Sequence, residues 1–324
     1  MIQKDLITKP IEAELLTLRN LIQESLTSSN PILGDALTHI RKRSGKMMRP
    51  ILTLLMAKCF GQVTESTFHA ATSLELLHTA SLVHDDVVDD SIERRGQPSV
   101  NALFNNQVSV LVGDYLLSTS LYHASQTDDV RVIRLISQLG QCLAEGELLQ
   151  LSNISNEAIS EEVYFDIIHK KTGVLFETCA QVGVLSVDAS DDQVEWARKI
   201  GEIIGYAFQI KDDIFDYFDD PAIGKPTGND MREGKLTLPV IHALKSTPNQ
   251  KMHNLAQRVK QGDATKEEIE KLIAFTKENG GIEYATQYMI HLVNRAHKLL
   301  DQCGDDSVRQ ALISFIDYVV YRNK

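Results

Sequence analysis

Apolar positions recur every three or four residues along almost the whole chain, and nowhere do they alternate with the period of two expected of a half-buried strand. Ile11, Leu15, Leu18, Leu21 and Ile22 form one stripe, which predicts an amphipathic helix over 1–28. Asn30 and Pro31 predict the N-cap and first residue of the next helix. Gly45-Lys46-Met47-Met48-Arg49-Pro50 interrupts the pattern, and an apolar helix follows with Ile51, Leu52, Leu54, Leu55 and Met56. A long helix is expected over 66–90, stopped by Gly96 and Pro98, with further helices over 108–125, 129–152, 160–186 and 191–218. A polar loop spans 219–233, and Pro239 opens another helix. Thr247-Pro248-Asn249-Gln250 and Thr265-Lys266-Glu267-Glu268 both fit the capping-box spacing, and helical hairpins complete the chain to Lys324. Several helices are apolar round most of their circumference, which places them at the centre of a large bundle. The expected fold is all-α, as a single domain over 1–324.

Composition changes this picture little. The 324 residues are 43% hydrophobic and 24% charged, with 8 prolines and 18 glycines, which suits helix around an ample core. A net charge of −11 argues against nucleic acid or an anionic membrane surface as partner. No apolar run approaches the ~20 residues that span a bilayer, and residues 1–10 lack a signal-peptide pattern. Cys59, Cys142, Cys179 and Cys303 lie far apart without a CxxC, as buried free thiols of a reducing compartment would. A cytoplasmic protein is expected.

The acids are unevenly placed. Asp85, Asp86, Asp89, Asp90 and Glu93 end one nearly apolar helix; Asp212, Asp213 and Asp216 repeat the spacing late in another. On a helix, Asp85 and Asp89 share a face while Asp86 stands about 100° round. Two such faces turned together would offer hard oxygen ligands suited to Mg²⁺ or Mn²⁺. A single DDxxD is more often a solvated helix end; two copies behind apolar helices argue against that. A calcium loop is excluded for the first copy, because, counting from Asp85, Asp90 stands where the turn glycine belongs and Gly96 where the bidentate Glu belongs. A di-iron bundle needs two Glu-x-x-His pairs, and only Glu75-Leu76-Leu77-His78 is present. Cations accompany the acids: Lys46 and Arg49 before them, Arg94 and Arg95 after the first set, Lys170 and Lys171 between, Lys225 and Lys235 after the second. Guanidinium and ammonium groups beside metal-binding acids suit polyanionic substrates. No P-loop or dinucleotide fingerprint makes a nucleotide the obvious one.

The chain resembles the trans-prenyltransferases, the head-to-tail polyprenyl diphosphate synthases, over nearly its whole length. The residues that carry the resemblance are Gly45-Lys46-x-x-Arg49-Pro50, His78, Asp85-Asp86-x-x-Asp89, Arg94-Arg95-Gly96, Lys171-Thr172, Phe208-Gln209-x-x-Asp212-Asp213-x-x-Asp216 and Gly224-Lys225. The resemblance implies an isoprenoid-synthase helical bundle with a central cavity, usually a homodimer, and a Mg²⁺ cluster, of three ions, between the aspartate sets. It implies that Lys46, Arg49, His78 and Arg95 hold isopentenyl diphosphate, while Arg94, Lys171, Lys225 and Lys235 hold an allylic diphosphate such as farnesyl or geranyl diphosphate. Asp85, Asp89 and Asp212 become the main metal ligands, supported by Asp86, Asp213 and Asp216. Thr172 and Gln209 lie near the allylic cation. The sequence departs from the family at Ser44, often Gly, and at Asn229, often Asp, which puts the metal-shell role of Asp230 in doubt.

The growing chain is expected to run down the first aspartate helix. Ala80 and Ser81 stand one turn before Asp85 and Leu77 another turn back, small enough at the first turn for an all-trans product of about C30 to C50. The competing readings are a terpene cyclase, a regulatory subunit of a heteromeric prenyltransferase, and a passive lipid- or metal-binding bundle. The second Asp set argues against the first, and retention of all six aspartates against the second.

Overall fold

The computed structural model describes residues 4–42, 45–94, 96–153, 159–218 and 227–322. Helix follows helix throughout. The amino-terminal stripe does not form one helix: α1 (Lys4–Thr8) and α2 (Glu12–Ser25) are separated by a 3-10 turn over Lys9–Ile11. Pro10 explains the break, having no N–H to continue the α ladder. Helix α3 (Pro31–Lys42) starts as the sequence predicts, with the Leu33 N–H donating to Asn30 Oδ1 at 3.1 Å. Helix α4 (Met48–Lys58) is buried all round, Leu52, Leu54, Leu55 and Met56 having no exposure.

Helix α5 (Glu65–Val88) opens on a capping box between Thr64 and Thr67 and ends two residues earlier than expected, with Asp89 as its cap. Asp90 then takes a left-handed φ of 49°, a conformation Asp tolerates, and turns the chain out of the helix. Gly96 and Pro98 are therefore not the stop: Glu93–Arg94 pairs antiparallel with Gln97–Pro98 in a two-residue hairpin beyond it. Helices α6 (Val100–Phe104), α7 (Asn106–Ser125) and α8 (Val130–Asn153) follow, with α7 packed along α5.

The expected helix over 160–186 is α9 (Glu161–Ile168), one π turn (His169–Gly173) and α10 (Val174–Leu185). Two glycines let that turn lie close to its neighbours. A Cβ on Gly146 would meet the Lys170 side chain at 2.8 Å, and one on Gly205 would meet Gly173 Cα at 2.7 Å. Helix α11 (Asp191–Phe215) starts on a Ser190–Gln193 capping box and packs on α10. The loop expected over 219–233 holds the short helix α12 (Asn229–Arg232); its first part, 219–226, lies outside the described residues.

Helices α13 (Leu238–Ser246), α14 (Gln250–Lys260), α15 (Lys266–Glu278), α16 (Gly281–Leu299) and α17 (Asp306–Tyr321) complete the fold. The Thr265–Glu268 capping box forms, but Thr247 is the C-cap of α13 and not the N-cap of α14: Asn249 takes that role, accepting from the Met252 N–H at 3.2 Å. A large core joins α2, α4, α5, α10, α11, α16 and α17, and a second cluster with Met231, Val240, Leu255 and Leu272 lies under α12–α15. Among the described residues, no helix is long and apolar enough to cross a membrane.

Candidate active site

A cavity of about 730 Å³ opens between α5, α8, α9, the π turn and α11. Its mouth is charged and its depth apolar. From α5 it receives Asp85 and, deeper, Ser81, Ala80 and Leu77. Eight residues of helix place Leu77 about 12 Å below Asp85 along the axis. Arg49 and His78 border it, Lys171 and Thr172 enter from the π turn, Gln209 and Asp213 from α11, and Asp230 and Lys235 from the α12 segment. A π turn commonly marks a functional site because it displaces the backbone by one residue. Here it directs Lys171 and Thr172 into the cavity and His169 away from it, onto Glu177 (Nδ1–Oε1 3.1 Å).

The two halves of the first acidic pair face different ways. Asp85 lines the main cavity, whereas Asp86 is buried and accepts from Arg94 Nε at 2.6 Å. That ion pair borders a smaller cavity of about 390 Å³, which Gly45 and His78 also line. Arg94 thus lines the smaller cavity with Gly45 and His78, while its charge, like that of Lys171, also acts on Asp85. Burial first, and then the nearby Glu147 carboxylate, push the Asp85 carboxyl up to about 6. Asp89 is raised too, by burial, with the Lys235 ammonium pulling the other way.

The second set divides further. Asp212 is on the exposed side of α11 and pairs with Arg322, whose guanidinium also lies 4.0 Å from the Phe208 ring centroid. Asp213 is buried, accepting from Tyr164 Oη at 2.6 Å and Gln209 Nε2 at 2.8 Å; Thr172 donates to Gln209 Oε1 at 2.8 Å. These bonds fix Gln209 and Thr172 side by side on the cavity wall. Burial raises the Asp213 carboxyl well above its ordinary range. Asp216 holds α12, its two oxygens accepting from the Asn229 and Asp230 N–H groups at 2.9 and 3.1 Å. Lys46 stands 5.7 Å from the Tyr318 ring centroid, and Lys235 pairs with Glu233 at 2.6 Å. Lys170 turns to Glu145 at 3.6 Å, away from the cavity. Arg95 and Lys225, and Ser44 among the departures, lie outside the described residues.

Glu147 and Gln150 of α8 are site residues that the sequence did not mark. Lys171 Nζ lies 2.6 Å from Glu147 Oε2 and donates to Gln150 Oε1 at 2.9 Å. A carboxylate at the position after Gly146 was the available signal. Behind the π turn, His169, Glu177 and Glu202 bring ligand-type atoms within 4.8 Å of one another. Arg198 already spans both acids there, at 3.5 and 3.4 Å.

Aspartates of two helices and several cations at the mouth of one deep apolar cavity are what binding of a diphosphate with a long hydrocarbon tail requires. The family pattern described as polyprenyl synthetase matches residues 30–276. The chain belongs to that family. It is a prenyltransferase. Among similar proteins, the octaprenyl diphosphate synthase of Haemophilus influenzae is 32% identical over 98% of this chain and 97% of its own. A geranylgeranyl pyrophosphate synthase structure from Bacteroides thetaiotaomicron is 55% identical, with TM-score 0.87 over 98% of this chain and 99% of its own. A polyprenyl synthase from Caulobacter crescentus, complexed with calcium and isoprenyl diphosphate, is 28% identical with TM-score 0.91, over 99% and 98%. Members of this family use a divalent metal. The residues present fit one: the donors are hard carboxylate oxygens, and Asp85 lines the cavity together with the Glu147 carboxylate, which acts with burial to raise it.

Proposed function

We propose that this prenyltransferase, as one domain, extends an allylic diphosphate by head-to-tail addition of isopentenyl diphosphate, with Mg²⁺ held by Asp85, Asp89 and Asp212. The observation that carries the reading is the single cavity running from Asp85 past Ser81 and Ala80 to Leu77. Asp86, Asp213 and Asp216 support the ligands: Asp86 through Arg94, Asp216 by anchoring α12, and Asp213 by orienting Gln209.

Lys171 and Lys235 draw the allylic diphosphate to the mouth, with Lys225 assigned alongside them; Lys46, Arg49, His78 and Arg95 hold isopentenyl diphosphate. The metal, when bound, supplies Lewis-acid stabilisation of the departing diphosphate oxygen. Fixed cations around the same oxygens favour the charge that develops as the allylic C–O bond breaks. The oxygen dipoles of Thr172 and Gln209 face the cation left behind, and the apolar walls keep water from it. The double bond of isopentenyl diphosphate attacks, and the proton then lost passes to diphosphate, so no side-chain base is needed. Incubation with labelled isopentenyl diphosphate, farnesyl diphosphate and Mg²⁺ should give chain-extended diphosphates; cyclised hydrocarbon, or no turnover, would refute the reading.

Metal binding requires Asp85 ionised, and its metal-free carboxyl titrates at about 6. It is mostly charged at pH 7.5 and mostly protonated at pH 5.5. Proton competition should therefore raise the half-saturating Mg²⁺ concentration about fourfold between those pH values. An unchanged Mg²⁺ requirement would exclude Asp85 as ligand.

A homodimer belongs to the same proposal. Helix α7 leaves Val110, Leu111, Leu117 and Leu121 exposed along one side, Leu111 by 67%. Such a row is a poor surface for a monomer. Sedimentation should show a dimer that Leu111→Asp with Leu121→Asp converts to monomer; a wild-type monomer at micromolar concentration would contradict it. A reducing, cytoplasmic setting fits the free cysteines.

A further inference from the structure

Two of the cysteines that lie far apart in the sequence meet in the fold. Cys59 caps the carboxy-terminal end of α4, and Cys303 sits in the turn between the 3-10 segment Leu300–Gln302 and α17. They are 244 residues apart, and their Sγ atoms are 2.7 Å from one another. The turn is firmly set: the Cys303 N–H donates to Leu300 O at 3.0 Å, and Asp305 caps α17 by accepting from the Ser307 and Val308 N–H groups. Cys142 and Cys179 have no such neighbour among the described cysteines.

We propose that Cys59 and Cys303 form a reversible intramolecular disulfide under peroxide, tying α4 to the start of α17. The order of events follows from the geometry. The two thiols share one S–H···S contact, and the pairing holds the Cys303 thiol below its ordinary value while raising that of Cys59. Both thiols are buried, Cys303 and Cys59 being 4% and 5% exposed. Cys303 sits, however, in a turn between exposed Gln302 and Gly304, so a local opening of that turn presents it to a small oxidant. Its thiolate attacks one oxygen of hydrogen peroxide; the O–O bond breaks, one water leaves, and a sulfenic acid remains. Cys59 gives up its proton and attacks the sulfenic sulfur, displacing hydroxide, which departs as a second water. Two thiols and one peroxide thus become one disulfide and two waters. A dithiol reverses the change.

The bond joins two elements that both reach the active site without touching its chemistry. Helix α4 carries Arg49 at its other end, about 15 Å away along the axis. Helix α17 carries Tyr318 and leads to Arg322. Closing so long a loop restricts the unfolded chain, so oxidation should raise the melting temperature by about 5 °C or more. The fold also supplies a local reporter. Trp196, the chain's one tryptophan, donates to Leu299 O at 2.7 Å and packs edge-on to Phe60, next to Cys59.

The test uses the full-length protein treated with hydrogen peroxide, then with iodoacetamide, and digested without reductant. The expected result is one linked peptide pair containing Cys59 and Cys303, lighter by two hydrogen atoms, with Cys142 and Cys179 alkylated. Tryptophan fluorescence should fall with it, the melting temperature should rise, and dithiothreitol should restore both. Cys59→Ser and Cys303→Ser should each abolish all three changes, and either variant that folds suffices as control. Recovery of Cys59 and Cys303 both alkylated, or pairing of either with Cys142 or Cys179, would overturn the proposal. So would equal changes in melting temperature and fluorescence in the two serine variants.

Discussion

Asp85→Asn should lower turnover by about 10²–10³-fold, the usual loss when one fixed electrostatic contact to a developing charge is removed. The same substitution should make the metal-free protein more stable. Asp85 is raised from an ordinary carboxylate value to about 6 by burial and Glu147. A raised carboxyl destabilises the fold once pH exceeds the unfolded pKa, and the cost grows until pH passes the folded pKa. At pH 7.5 the whole cost is present. Removing the charge should therefore add on the order of 1–3 kcal/mol in EDTA, seen as a higher melting temperature. Adding Mg²⁺ and a diphosphate should stabilise the wild type more than the variant. Loss of activity with a lower metal-free melting temperature would mean that Asp85 serves the fold and not the metal.

Ala80→Tyr should shorten the product. Ala80 is buried and lines the cavity one turn below the aspartates, where a phenol ring would obstruct the path towards Leu77. We expect the wild type to release an all-trans product of about C30 to C50, because the small residues one helical turn below Asp85 leave that path open. The variant should stop one or more isoprene units earlier at little cost in the first condensation. The opposite wall offers an independent check. Gly140 of α8 lines the cavity, and a Cβ built there meets nothing within 4 Å. Mid-helix glycine is about 1 kcal/mol worse than alanine, so the fold gains nothing from it, while the cavity gains room. Gly140→Leu should also shorten the product. Reversed-phase separation of dephosphorylated products against length standards measures both; an unchanged length in both variants would mean that the chain does not grow along α5.

The sequence made the helical bundle legible because each helix buries a stripe that recurs every 3.6 residues, and the caps at Asn30 and Thr265 and the first-turn Pro239 are local chemistry. What it concealed were features set by partners distant in the chain. The π turn costs one backbone hydrogen-bond register and leaves no mark on the apolar pattern. It is permitted by Gly146 and Gly205, which belong to other helices. Glu147 carries no distinguishing pattern in the sequence; it belongs to the site because Lys171, from another element, lies against it. Spacing put Asp212, Asp213 and Asp216 near one another, but their environments diverge with depth: exposed beside Arg322, buried under Tyr164, and bound to the amino terminus of α12. Arg322 becomes part of the site only because α17 returns to α11, and Cys303 meets Cys59 for the same kind of reason.

The central claim is that Asp85 and Asp89 on one side and Asp212 on the other hold metal ions across one cavity. Crystals grown with Mn²⁺ and inorganic diphosphate test it directly through anomalous scattering. The account predicts Mn²⁺ peaks bound to oxygens of Asp85, Asp89 and Asp212, with Arg322 released from Asp212 and the diphosphate on the Lys171 side. Peaks confined to the His169–Glu177–Glu202 group, or to one aspartate set with the diphosphate elsewhere, would contradict it.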